Sequence, residues 1–397
     1  MRGRYHSPYR RKEEPPAKPV GNFFIWSNAM PVFIHNGLRT PIGVVNGQYK
    51  SIRPELLGAK VLNQLFDSKN ASSLDAIFCG NAVGTGGNIA RLMGLYSHLP
   101  NTIPAVTVDM QCASGMMSVE MAYAHIASGM MDTVIAGGIE SSSLQPLRTY
   151  ADHDDRSGDY MVAQFAPKEI SPLAMLEGAE RTMIKHSVGV EELNPYIIRS
   201  HQCAQHAREQ GILSPYILDI EIDGKRCIDE SIRPSMNEKL LNRMKPLLGP
   251  NSITTAGNAC LTHDGAAFVT LSSQEGPFRI VHAMPWAGEP LYSPEGALLS
   301  TKKILDVTAL SSTEIDVFEW NEAFAVISAL FGREYPDLVD RYNMLGGALA
   351  YGHPYGCSGA MLLIHCMAAL EYCNGHYGLC AIAGAGGTGT AMIIERM

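Results

Sequence analysis

The chain carries little charge for its length: 18% of its 397 residues are Asp, Glu, Lys or Arg, and they sum to −8. Past the N-terminus no lysine- or arginine-rich face stands out, which argues against a nucleic-acid partner. No apolar run reads as long enough to cross a bilayer, so no membrane partner is expected. The nine cysteines form neither CxxC pairs nor a dense framework. That spacing points to no metal site and no disulfide scaffold, and it predicts reduced thiols in a cytoplasmic protein. What is abundant is apolar: 46% hydrophobic residues make this a well-buried globular chain. It is too long for one ordinary core and suits two or three domains.

Residues 1–29 differ from the rest, with five basic residues among Arg2–Lys12 and prolines at 8, 15, 16 and 19. They lack the apolar centre of a signal peptide. Ser27-Asn28-Ala29 before Met30 looks like the scar of a cleaved tag, so residues 1–29 are set aside as a leader, tag-derived or disordered.

From Pro31 strands and helices alternate. Val32-Phe33-Ile34 reads as a strand, 54–67 as a helix, 75–79 as a strand and 91–96 as the start of a helix. Such alternation implies an α/β fold with a sheet covered on both faces. Residues 144–246 break the pattern with scattered prolines and charges, and read as an inserted loop domain. The expected division is 30–143 with 247–274 as an N-terminal half, 144–246 as the insert, and 275–397 as a C-terminal half. A weak internal repeat supports two similar halves: Cys112-Ala113-Ser114-Gly115 and Gly356-Cys357-Ser358-Gly359 each lead into an apolar helix, a strand and a Gly-Gly pair.

The chain is organised around 106–143. Val106-Thr107-Val108 is a strand, Gln111 to Gly115 a tight turn of small residues, and a helix ends near Gly129. Thr133 to Ala136 is the next strand, and Gly137-Gly138 is expected to turn it. Cys112 thus stands where a strand meets a helix, near unpaired N–H groups and the positive end of the helix dipole, both of which favour thiolate. The small residues after it would let a bulky thioester approach. A buried structural cysteine is the competing explanation. Two other stretches carry chemistry. In the glycine-rich run 346–356, His353 sits between a glycine and a proline, as a held imidazole or a surface loop residue. Asn321, in Trp320 to Ala325, is either a donor to an oxyanion or a helix cap.

Together these stretches resemble the thiolase family. The match is carried in order by QCASG at Cys112, NEAFA at Asn321, GGALAYGHPYGCSGA at His353, and the terminal AGAGGTGTAMIIE, and supported by LRTPIG, AGGIES, DESIRPS and TAGNACLTHDGAA. It covers Val32 to Glu395. The resemblance implies a five-layered α/β/α/β/α fold of two similar halves with a CoA-binding loop domain. It implies an acyl-CoA acyltransferase acting in 3-ketoacyl-CoA thiolysis or Claisen condensation, with acyl-CoA and CoA as substrates, no permanently bound cofactor, and a homodimer or homotetramer. By resemblance Cys112 is the nucleophile, His353 its activator, and Asn321 the holder of a water in an oxyanion site. The N–H groups of Cys112 and Ala385 form the other oxyanion site, and Met175, Arg233, Ala256, Cys260 and Phe324 line the CoA channel. The terminal motif departs from the family: Ala383 stands where an acid/base cysteine is expected. Cys380 is three residues away on a strand, an odd offset that points it to the opposite face. An acyl-CoA hydrolase, or a CoA-binding subunit with impaired condensation, are the alternative activities.

Overall fold

The computed structural model describes residues 30–66, 73–167, 171–260 and 262–397. The expected leader lies outside the described residues. The N-terminal half opens with β1 (Phe33–Arg39), β2 (Gly43–Val44), α1 (Pro54–Leu65), β3 (Ala76–Gly80), α2 (Ile89–Tyr96), β4 (Ala105–Val108), α3 (Ser114–Ala127) and β5 (Thr133–Ser141). Then come a hairpin of β6 (Arg148–Thr149) and β7 (Asp159–Tyr160), helices α4 (Ala174–Lys185) and α5 (Val190–Glu209), a hairpin of β8 (Glu221–Ile222) and β9 (Lys225–Arg226), and α6 (Glu238–Leu241). The chain closes with β10 (His263–Ser272), β11 (Phe278–Ala287), α7 (Gly296–Thr308), β12 (Val317–Trp320), α8 (Ala325–Glu334), α9 (Ala348–Tyr351), α10 (Tyr355–Cys373), β13 (Tyr377–Gly384) and β14 (Thr388–Arg396). Among the described residues, no strand between β5 and β10 joins the main sheet.

That sheet runs β12-β13-β14-β11-β1-β10-β5-β3-β4, with β2 on β10. Among the described residues, its two halves meet where β1 pairs β11, at Phe33↔Arg279 and Ile34↔Phe278. Helices α3 and α10 pack on each other and on strands of both halves, so they form a middle layer. Helices α1 and α2 cover the outer face of one half, and α7 covers that of the other. The helix sequences suit these places. Pro54 opens α1, whose polar Lys60 and Gln64 face solvent. Helix α10 is apolar all round, and every residue from Gly356 to Leu370 is buried. It is also long and apolar enough to cross a membrane by length and composition, contrary to the expectation from the sequence, but it is a core helix of the middle layer.

The glycines of the 106–143 stretch act differently from the sequence reading. Gly137 and Gly138 do not turn the chain: β5 continues through both to Ser141. A side chain at Gly137 would collide with the backbone of Ala267 and Phe268, and one at Gly138 with the carbonyl of Gly356 at the start of α10. Gly115 meets the same carbonyl, so the small residues after Cys112 let α3 and α10 approach rather than admit a ligand.

Candidate active site

The turn before α3 is shaped by its own polar groups. Gln111 has φ of 53°, its N–H donates to Asp109 Oδ1 at 2.8 Å, and the Ser114 hydroxyl donates to Gln111 O at 2.6 Å. Ser114 Oγ also accepts from Met110 N at 2.8 Å. The clasp sets Cys112 on the wall of a cavity of about 370 Å³. Also on the wall are His353, Tyr355, Ala385, Met175, Ala256, Cys260 and Phe324. The cavity therefore joins the strand-helix turn, the insert, the glycine-rich run and the β13–β14 turn. Two expected residues are not on it. Asn321 is buried behind His353, and Arg233 is exposed, its guanidinium donating to Glu230 O at 2.7 Å.

His353 is held at both ring nitrogens. Nδ1 lies 2.6 Å from Ser358 Oγ, and that hydroxyl donates to Pro354 O at 2.8 Å. A hydroxyl has one proton, so Nδ1–H donates to Ser358 and Nε2 carries the lone pair. Asn321 Nδ2 donates to this nitrogen at 3.2 Å, while Asn321 Oδ1 is buried with no partner among the described residues. The backbone N–H of His353 donates to His263 Nδ1 at 3.1 Å. Burial, and then His263, pull the imidazole down to about 3, so it is neutral.

The thiolate expected at Cys112 is not the resting state. Burial pushes the thiol up to about 12 and the Glu140 carboxylate adds to this, while the N–H groups of Cys112 and Ala385 pull the other way. Desolvation of the thiol outweighs the donors that the turn supplies. Glu140, which nothing local marks, has a role as well. This carboxylate accepts from Asn81 Nδ2 at 2.8 Å, Ala82 N at 3.0 Å and Gly356 N at 2.9 Å, tying the loop after β3 to the start of α10. Burial pushes it up to about 7 against those donors. The Ala385 N–H that reaches Cys112 was expected from the terminal motif, whereas Ser358, Tyr355 and Arg148 were not singled out.

Sequence comparison matches residues 32–275 to the family described as Thiolase, N-terminal domain, and 279–396 to Thiolase, C-terminal domain. The chain belongs to the thiolase family. It is 33% identical to the beta-ketoadipyl-CoA thiolase of Pseudomonas knackmussii, across 92% of this chain and 99% of that protein. It is 32% identical to the acetyl-CoA acetyltransferase of Synechocystis, with the same coverage. Among solved structures, the Bacillus anthracis acetyl-CoA acetyltransferase superposes with a TM-score of 0.86 at 26% identity, over 94% of this chain and all of that one.

Within this thiolase the supporting motifs also build scaffold, beside the Ala256 and Cys260 that one of them gives to the wall. Arg39 of LRTPIG forks onto Asp229 of DESIRPS at 2.8 and 3.0 Å, wholly buried, and Ile42 N donates to the same carboxylate at 2.8 Å. Asp264 of the THDGAA run accepts from Ser143 N at 2.9 Å, just past AGGIES. Cys380 donates to Leu362 O on α10 at 3.8 Å, so it points away from Ala383, whose methyl lies on the side of Gly296 in α7. Cys357 is fully buried and not on the cavity wall.

Proposed function

We propose that this thiolase transfers acyl groups between CoA thioesters through an acyl-enzyme on Cys112. The observation that carries this is the meeting of Cys112, its own N–H, the N–H of Ala385 and a neutral His353 on one cavity. In thiolysis of a 3-ketoacyl-CoA, His353 Nε2 gives up its hydrogen bond from Asn321 Nδ2 and takes the Cys112 proton as Sγ bonds to the C3 carbonyl carbon. The charge arising on oxygen is held by preorganised donors, the N–H groups of Cys112 and Ala385 or the His353–Asn321 pair. The C2–C3 bond then breaks, C2 takes up a proton, and acetyl-CoA leaves. The thiol of a second CoA attacks the thioester on Cys112 and releases the shortened acyl-CoA. Condensation is the same sequence reversed.

In this reading Ala383 occupies the place of the acid/base cysteine, and a methyl group moves no proton to or from C2. Acylation of Cys112 by a thioester needs no such proton and proceeds. Met175, Ala256, Cys260 and Phe324 form the wall along the CoA arm, and Arg233 is exposed and off that wall. Acyl-CoA and CoA are taken as substrates rather than resident cofactors, by a homodimer or homotetramer in the cytoplasm. The test is brief exposure to acetyl-CoA followed by peptide mass analysis. The acyl group is expected on Cys112 and absent from Cys112→Ala; a label on Cys357 or Cys380 would overturn the assignment.

A further inference from the structure

The cavity wall carries a single permanent charge. Among the described residues on it, Arg148 is the sole Arg, Lys, Asp or Glu. His353 is neutral, and the two cysteines are held as thiols by burial. Arg148 begins the β6–β7 hairpin opposite Tyr160, and Met161 and Val162, which follow β7, line the same wall. One guanidinium nitrogen donates to Gly84 O, and no carboxylate among the described residues pairs with Arg148. The other arginine of this segment behaves differently. Arg156 forks onto Asp154 at 2.9 and 2.8 Å and lies 4.4 Å from the centre of the Tyr150 ring. Arg156 is thus satisfied within its own loop, whereas Arg148 has a fork of unused donors on a largely apolar wall.

Its tether shows which part of the cavity it serves. Gly84 follows Val83, and the N–H groups of Ala82 and Val83 both donate to Glu140, the carboxylate that acts on Cys112. Arg148 is therefore anchored to the loop on the nucleophile's side, not to 256–260 or Met175. Arg148 is half-buried, so an incoming anion can reach it, and a guanidinium fork matches a carboxylate in two parallel hydrogen bonds.

We propose that Arg148 recognises a carboxylate at the far end of the acyl chain, so that the substrates are CoA thioesters of dicarboxylic acids. This rests on the acyl-enzyme reading of Cys112. Val83, Met161 and Val162 would pack along the methylenes, and Arg148 would take the terminal charge. The same cation could instead serve a phosphate of CoA, and the experiment separates the two.

Acylation of Cys112 is followed by quenched-flow mass analysis with succinyl-CoA and with butyryl-CoA, which has the same chain length and no terminal charge. This step does not depend on carbon–carbon chemistry. The wild-type protein should prefer succinyl-CoA by about tenfold to a hundredfold, the usual range for a charge-assisted hydrogen bond. Arg148→Gln should abolish that ratio, and Arg148→Lys should keep part of it. A wild-type ratio near one, or favouring butyryl-CoA, overturns the proposal even if Arg148→Gln does not fold. An Arg148→Gln variant that slows both esters equally and weakens CoA binding assigns the cation to a CoA phosphate and also overturns it. If neither ester labels Cys112, the acyl-enzyme reading itself falls. If both label it equally, only the role of Arg148 does.

Discussion

The two half-reactions should run at very different rates. Acyl exchange between CoA thioesters needs Cys112, the N–H donors and a proton acceptor, all of which meet at the cavity. Making or breaking the C2–C3 bond also needs a proton at C2. On the proposed reading that Ala383 takes the place of the acid/base cysteine, it supplies none, and strand geometry keeps Cys380 from substituting. On β13, Leu379 and Ala381 pack with the α7-side core, while Cys380 and Ile382 pack with the α10-side core. A positioned acid or base contributes about 10²–10⁴ in rate, or roughly 3–5 kcal/mol of barrier. Acetyl-CoA/CoA exchange should therefore exceed acetoacetyl-CoA thiolysis by about that factor. The assay measures both on one preparation, isotope exchange for the first and loss of the acetoacetyl absorbance for the second. Thiolysis within about tenfold of exchange would refute the reasoning. It would mean that another group transfers the proton, and Cys260, the other thiol on the wall, is where to look.

Two further outcomes follow from the same structure. With the thiol pushed up to about 12, Cys112 should be alkylated by iodoacetamide slowly at pH 7, and the rate should rise nearly tenfold per pH unit to pH 9.5; a plateau below pH 8 would show a stabilised thiolate instead. Asp229→Ala leaves Arg39 buried without its carboxylate and should cost about 3–5 kcal/mol, read from denaturant unfolding; a loss below about 1 kcal/mol would show that the pair adds nothing to the join between β1 and the insert.

Much of the site was legible because its residues sit in short stretches with strong local constraints. Cys112 at a strand-to-helix turn and His353 in a glycine-rich run were candidates by type and position, and the resemblance to the family chose between their alternatives. What failed was anything that depends on a distant neighbour. Gly137-Gly138 has the local look of a turn, yet its glycines exist because Phe268 and the start of α10 press against β5. Ser114 and Gly115 looked like room for a ligand and instead serve a hydrogen-bond clasp and a helix–helix contact. Glu140 has an unremarkable setting in sequence, since its partners Asn81 and Gly356 lie 59 and 216 residues away. The apolar helix expected after Gly359 proves longer than the sequence suggests, because α10 already starts at Tyr355, inside the glycine-rich run. Arg233 was placed on the cavity by motif alone, and it is exposed outside it.

The largest physical correction concerns how the nucleophile is activated. A thiol near 12 beside an imidazole near 3 holds its proton firmly. Burial raises the one and lowers the other, so both shifts keep the proton on sulfur and disfavour the thiolate–imidazolium pair. No preformed ion pair waits for substrate, so the helix dipole does not by itself make Cys112 reactive. Proton transfer has to be coupled to attack, because only then does negative charge move from sulfur to the carbonyl oxygen. The donors that partly offset burial at Cys112, its own N–H and that of Ala385, are suited to receive that charge. Substrate is then the missing component of the electrostatics, and reactivity toward a thioester should far exceed reactivity toward a small alkylating agent that leaves no oxyanion.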